Sequence, residues 1–171
     1  MGTPLTAIYP GSFDPLTLGH VDLIRRGSRI FPRLVVAVLR NREKSALFTV
    51  AERMEMLHEV TAQMPGVEIA EFEGLLVDFA EKVGAGALLR GIRAISDYEY
   101  EFQMAWMNRR MAPALETVFM MPGEDYAYLS SRLVKEVAAG GRAVTGMVPP
   151  AVEARLRAKF GETAASARQR P

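Results

Sequence analysis

Tyr9-Pro10-Gly11-Ser12-Phe13-Asp14-Pro15-Leu16-Thr17-Leu18-Gly19-His20 follows the short apolar run Thr6-Ala7-Ile8 and leads into Leu18, Val21, Ile24 and Phe31 at near-helical spacing. An apolar run, a cluster of chain-turning residues and an amphipathic pattern together read as a strand, a tight turn and the start of a helix. Thr17 suits the N-cap, which puts Leu18, Gly19 and His20 in the helix's first turn. Backbone N–H groups unpaired at such a terminus favour anions, phosphates above all. Gly19 has no Cβ and allows close approach to the backbone, and His20 adds a side-chain donor at the same place. Taken alone, Gly11 to Pro15 reads equally well as a plain strand-to-helix turn, with Asp14 a turn residue rather than a metal ligand.

Outward from this stretch, the same alternation recurs. Arg33 to Leu39 is an apolar, β-branched run and reads as a buried strand. The polar loop Arg40 to Ser45 leads to a capping box, Thr49 with Glu52, and to a helix with Met54, Leu57, Val60, Thr61 and Met64 on one face, ending before Pro65-Gly66. Val67 to Phe72 is a short strand, Leu75 to Val83 a helix closed by Gly84, and Ala87 to Leu89 a strand ending in Arg90-Gly91-Ile92-Arg93. A second capping box, Ser96 with Glu99, opens a helix through Tyr100, Met104, Met107 and Met111 that stops before Pro113. Thr117 to Met121 is the fifth strand, Ser130 caps a helix that ends at Gly140-Gly141, and Pro149 or Pro150 opens a last helix to Phe160. Strands alternating with helices predict an α/β domain, a doubly wound parallel five-stranded sheet with helices on both faces. Residues 1–160 read as one domain and 161–171, small and polar, as a disordered tail.

Composition excludes more than it selects. At 171 residues and 49% hydrophobic the chain can bury a full core. A formal charge of +1 demands neither nucleic acid nor an anionic membrane, so any basic site is local. With no cysteine there is no disulfide, thiolate metal site or cysteine nucleophile, which suits a cytoplasmic protein. No apolar run approaches the roughly 20 residues of a membrane span. The opening residues lack a signal peptide's basic and apolar regions, and Gly2 fits a loose myristoylation pattern that a strand beginning at Leu5 argues against.

In open α/β sheets ligands bind outside the carboxyl ends of the strands. His20 follows the first strand, Lys44 the second, Arg90 and Arg93 the fourth, and Ser130 and Ser131 the fifth. These loops would converge on one crevice suited to a polyanion, most simply a nucleotide plus a second phosphate.

The T-x-G-H ending at His20 resembles the signature of the nucleotidyltransferase superfamily, with its Rossmann-like fold. Arg90-Gly91-Ile92-Arg93-Ala94-Ile95-Ser96-Asp97-Tyr98-Glu99-Tyr100-Glu101, the segment Leu129 to Ala138 and Lys44 ahead of Phe48-Thr49 narrow the likeness. In order, from about Ala7 to Phe160, these blocks closely resemble the bacterial phosphopantetheine adenylyltransferases.

That resemblance implies transfer of the adenylyl group of ATP to 4′-phosphopantetheine, with Mg²⁺, giving dephospho-coenzyme A and pyrophosphate by direct in-line displacement. It implies that His20 stabilises charge on the phosphates in the transition state, with Lys44 and Arg93 beside it in catalysis. Ser12 touches both substrates and Phe13 packs at the nucleotide. ATP would further meet Gly91, Ile92, Arg93, Glu101 and the segment Tyr126, Ala127, Tyr128, Leu129, Ser130, Ser131 and Arg132. The acceptor would meet Lys44, Arg90 and Leu76. Arg132 stands where many relatives carry a third serine. Hexamers and feedback by coenzyme A at the same site are further implications, and the resemblance gives no protein metal ligand.

Each residue also has a bland reading. Lys44 alone is an ordinary loop charge, Arg90 and Arg93 could form surface ion pairs, Glu101 could be a solvated helical acid, and His58 reads as structural. Met104, Met107 and Met111 at helical spacing read as core or subunit contact rather than a cofactor box. Two rival functions are a nucleotidyltransferase acting on nicotinamide mononucleotide or glycerol phosphate, and a non-catalytic nucleotide-binding regulator. Lys44 together with the Arg90–Glu101 block argues against the first, and the intact histidine with its cations argues against the second. The chain has neither a Walker phosphate loop nor a G-x-G-x-x-G fingerprint.

Overall fold

The computed structural model describes residues 5–40, 46–93 and 95–168. Strands β1 (Thr6–Gly11), β2 (Arg33–Leu39), β3 (Val67–Phe72), β4 (Ala87–Gly91) and β5 (Glu116–Met120) alternate with helices α1 (Leu18–Ile30), α2 (Val50–Thr61), α3 (Leu76–Val83) and α4 (Ile95–Met111). After β5 come a 3-10 turn (Glu124–Tyr126), α5 (Ser131–Ala139) and α6 (Pro150–Arg168). The strands form one parallel sheet in the order β3-β2-β1-β4-β5.

Successive strand residues point to opposite faces, so strands covered on both sides are apolar throughout. Ala7, Tyr9, Leu34, Val36 and Leu89 pack under Ile24, Leu57, Val134 and Leu156 from α1, α2, α5 and α6. Ile8, Val35, Ala37 and Leu88 face the other way, toward Val77, Phe79 and Ala80 of α3. Each fully buried leucine, such as Leu34 or Leu89, contributes about 1.5–3 kcal/mol by leaving water. The chain winds outward from β1 through β2 to β3, then returns to place β4 on the other side of β1, with Ile8 opposite both Val35 and Leu88. The winding reverses between β1 and β4, so a crevice opens at their carboxyl ends.

Several boundaries differ from the sequence reading. β1 continues through Pro10 to Gly11, and β4 to Gly91, because Val38 and Met120 on the neighbouring strands pair with these glycines. β5 lies one residue earlier than expected. α4 begins at Ile95, so Ser96 lies inside the helix and cannot be its N-cap. Asp97 takes a capping part instead, accepting the Arg93 N–H at 3.3 Å. α6 runs past Phe160 to Arg168, because the residues after Gly161 are rich in alanine and one glycine costs a helix only about 1 kcal/mol. Tyr100, Met104, Met107 and Met111 are exposed, which removes the core reading of that face of α4. The Thr49–Glu52 capping box is formed, with Glu52 accepting the Thr49 N–H at 2.7 Å.

Candidate active site

The turn after β1 is built by packing rather than by sequence propensity alone. Gly11 is required because a Cβ there would lie 2.9 Å from the Phe13 ring, which folds back over it. Phe13 is buried and left-handed at φ 49°, a conformation that bulky residues seldom adopt. Its ring meets those of Tyr9 and His20 edge-on, at 5.6 and 5.2 Å between centroids. Arg53 of α2 donates to the Ser12 carbonyl at 2.8 Å. The buried Asp14 carboxylate accepts the Leu47 and Phe48 N–H groups at 3.1 and 2.9 Å and the Lys135 ammonium at 2.7 Å.

Thr17 caps α1 as expected, and His20 completes a capping box from the third helical position. The Thr17 N–H donates to His20 Nδ1 at 3.0 Å. Nδ1 is therefore the acceptor nitrogen, and the neutral ring carries its proton on Nε2. Burial, reinforced by the Arg93 charge, lowers the His20 pKa from 6.5 to about 4. At neutral pH His20 is an uncharged donor at the cavity wall.

Two cavities of about 360 Å³ each meet over the end of β1. Tyr9, Phe13, Thr17, Gly19, His20, Leu23, Gly91, Arg93, Tyr126 and the segment Leu129 to Arg132 line the first. Leu39, Phe72, Leu75, Leu76, Tyr100, Met104, Asn108 and Met111 line the second. Pro10, Gly11, Ser12, Arg90 and Glu101 line both.

Both arginines carry ion pairs in this state. Arg90 Nε donates to Glu101 at 2.6 Å and its Nη1 to the Pro10 carbonyl at 3.1 Å. Arg93 bonds Asp97 at 3.0 Å and the Leu129 carbonyl at 2.8 Å. Burial holds the Tyr9 phenol above its ordinary pKa against the opposing pull of Arg90 and Arg93, so it stays protonated. Ser130 caps α5, accepting the Leu133 N–H at 3.1 Å, and this aligns the helix N-terminus with the first cavity.

Residues 8–137 match the cytidylyltransferase-like family. The chain is 53% identical to the phosphopantetheine adenylyltransferase of Caldanaerobacter subterraneus over 154 residues, covering 90% of this chain and 96% of that one. It is 54% identical to that of Anaeromyxobacter dehalogenans, covering 91% and 94%, and 52% identical to that of Methylococcus capsulatus, covering 91% and 96%. The chain belongs to the phosphopantetheine adenylyltransferase family. In fold it is similar to a putative nicotinate-nucleotide adenylyltransferase from Vibrio parahaemolyticus, with TM-score 0.67, 14% identity and coverage of 90% and 91%.

Against the family's expected site, the fold gathers most residues and separates a few. Ser12, Phe13, His20, Gly91, Arg93, Glu101, Tyr126, Leu129, Ser130, Ser131 and Arg132 line the first cavity, while Leu76 and Arg90 line the second. Ile92, Ala127 and Tyr128 line neither, and Tyr128 is exposed. Lys44 lies outside the described residues. The Ser131 hydroxyl donates to the Pro15 carbonyl at 2.7 Å, so in this state its proton is not offered to the cavity. Arg132 extends into solvent and pairs with Glu136 at 2.9 Å, its side chain 88% exposed. At Gly19 a Cβ would meet Tyr126 Cβ at 3.5 Å, an ordinary van der Waals contact, so no neighbour in the protein demands glycine there. The connections of Asp14, Arg53 and Lys135 were missed from sequence. One signal was available, since Arg53 occupies the stripe of Leu57 and Thr61 at i, i+4 spacing on a buried face.

Proposed function

We infer that this chain is the enzyme that transfers the adenylyl group of ATP to 4′-phosphopantetheine, yielding dephospho-coenzyme A and pyrophosphate in coenzyme A biosynthesis. The observation that carries the chemistry is the common border of the two cavities at Ser12, Arg90 and Glu101. A nucleotide in the cavity beneath His20 and the α5 terminus and a phosphorylated arm in the more apolar cavity beside Leu76 would bring their phosphates together there. The acceptor phosphate oxygen forms a bond to the α-phosphorus as the bond to the bridging oxygen breaks, and pyrophosphate leaves with that electron pair. A phosphate nucleophile needs no general base, so holding, aligning and screening are what the protein supplies.

His20 Nε2–H donates to the α-phosphoryl oxygens as their charge grows, without adding a cation of its own. Arg93 and the α5 N–H groups serve the polyphosphate tail. Arg90 serves the acceptor phosphate, and so does Lys44, which follows β2 in the sequence. Among the described residues no group of three or more His, Asp or Glu side chains is gathered to hold a metal ion. Mg²⁺ needs only one or two carboxylates besides substrate phosphates, so here it is expected to arrive on the ATP phosphates, and no step is routed through a protein-held metal.

The family likeness supports a homohexamer, with coenzyme A competing at the acceptor cavity and a cytoplasmic location. The exposed row Tyr98, Phe102 and Trp106 on α4, near the sheet's β5 edge, supplies apolar surface for subunit contact. No described helix is long and apolar enough to cross a membrane.

The test is to incubate the protein with ATP, Mg²⁺ and 4′-phosphopantetheine and identify dephospho-coenzyme A by mass. Pantetheine lacking the phosphate should give no product. Equal turnover with it, or adenylylation of nicotinamide mononucleotide in its place, would overturn the reading.

A further inference from the structure

Asp14 is built into the protein far more firmly than a turn residue needs to be. Its side chain is 7% exposed, and its carboxylate accepts from two successive backbone N–H groups, Leu47 and Phe48, and from Lys135. A buried carboxylate is costly unless such partners compensate it, and a neutral turn residue would avoid the cost. Lys135 lies one helical turn beyond Ser131, on the same face of α5. The two reach adjacent residues, Ser131 to the Pro15 carbonyl and Lys135 to Asp14, each at 2.7 Å. On the far side, Arg53 holds the Ser12 carbonyl at 2.8 Å. Asp14 thus joins α5, the turn bearing Ser12 and Phe13, and the segment entering α2.

We propose that Asp14 and Lys135 are positioning residues for adenylyl transfer, an ion pair that sets the α5 N-terminus against Ser12 and His20. The inference rests on the reading above that ATP occupies the cavity below α5. Without Lys135, Ser131 is the remaining polar tie between α5 and this turn among the described residues. The capped terminus would then shift relative to His20, and a displacement of about 1 Å can cost about 10²-fold in rate.

The experiment compares Lys135→Met, Lys135→Arg, Asp14→Asn and the double variant Lys135→Met/Asp14→Asn. It measures kcat, KM for each substrate, ATP affinity by calorimetry without acceptor, and melting temperature. Lys135→Met should lower kcat/KM for ATP by about 10- to 100-fold and change KM for 4′-phosphopantetheine by less than about 3-fold. Lys135→Arg should recover most of the loss, and Lys135→Met should add little in the Asp14→Asn background. Unchanged ATP kinetics in Lys135→Met would overturn the proposal. So would equal losses in both backgrounds, or a loss that Lys135→Arg fails to recover. If Asp14→Asn does not fold, the two Lys135 variants decide. If the unaltered chain makes no dephospho-coenzyme A, the reaction assignment fails, and the ATP affinities still judge the ion pair.

Discussion

Replacing His20 by alanine tests the site at its most specific point. The ring accepts the Thr17 N–H at Nδ1, leaving one neutral donor, Nε2–H, at the cavity. Loss of one donor aimed at developing charge costs about 10²–10³ in rate. His20→Ala should therefore lower kcat by that factor while ATP affinity by calorimetry changes far less. Half of the α1 capping box is lost as well, costing about 1 kcal/mol of stability. Acidity offers a second reading of the same side chain. The folded protein favours the neutral ring, whose pKa falls from 6.5 to about 4, so stability is intact above 6.5 and erodes as pH falls through that window. The gap between 6.5 and about 4 is worth at most about 3 kcal/mol. His20 and His58 are the only histidines, so NMR titration with His20→Ala as the assignment control can follow each ring. A near-normal kcat in the variant would refute the catalytic reasoning. A His20 midpoint near 6.5 would refute the neutral-donor reasoning.

Three further outcomes test the division of the site. Lys44→Ala should raise KM for 4′-phosphopantetheine more than for ATP, and Arg93→Ala the reverse, each by about 10- to 150-fold on its own substrate; equal effects in steady-state kinetics would deny the division. Glu101→Gln removes the carboxylate that aims Arg90 and should lower kcat without weakening 4′-phosphopantetheine binding, as calorimetry and turnover together can check. Trp106→Lys should lower the particle mass seen by light scattering, and an unchanged mass would remove α4 from the subunit contact.

What the sequence disclosed was local. A threonine followed by an apolar stripe identifies the α1 cap, and Thr17 and His20 stand where that spacing puts them. Apolar strands joined by helices imply parallel pairing, and the sheet has it. What it concealed depends on residues distant in the chain. Asp14 looked like a turn residue because Leu47, Phe48 and Lys135 reach it only in the folded protein. Helical period groups Met104, Met107 and Met111 on a face but says nothing of what covers it, and that face of α4 is exposed. Arg132 shows a related limit: only the family resemblance pointed to it, and in the fold it borders the first cavity while its side chain pairs with Glu136, four residues on.

The crevice is not a bare cluster of cations. Arg90 is matched by Glu101, Arg93 by Asp97 and Lys135 by Asp14. Each carboxylate holds its partner in place before substrate arrives. A phosphate reaching Arg90 or Arg93 must compete with, or add to, a carboxylate already bonded there. The net gain is therefore smaller than the gross attraction of two opposite charges. A phosphate can offset this with greater charge and with geometry suited to the guanidinium fork. The Asp14 pair is set deeper, with its carboxylate also held by the Leu47 and Phe48 amides, so a ligand has little means of displacing it. On the proposed assignment, Arg90 and Arg93 exchange partners as substrates come and go, while Asp14 and Lys135 keep the frame against which that exchange takes place.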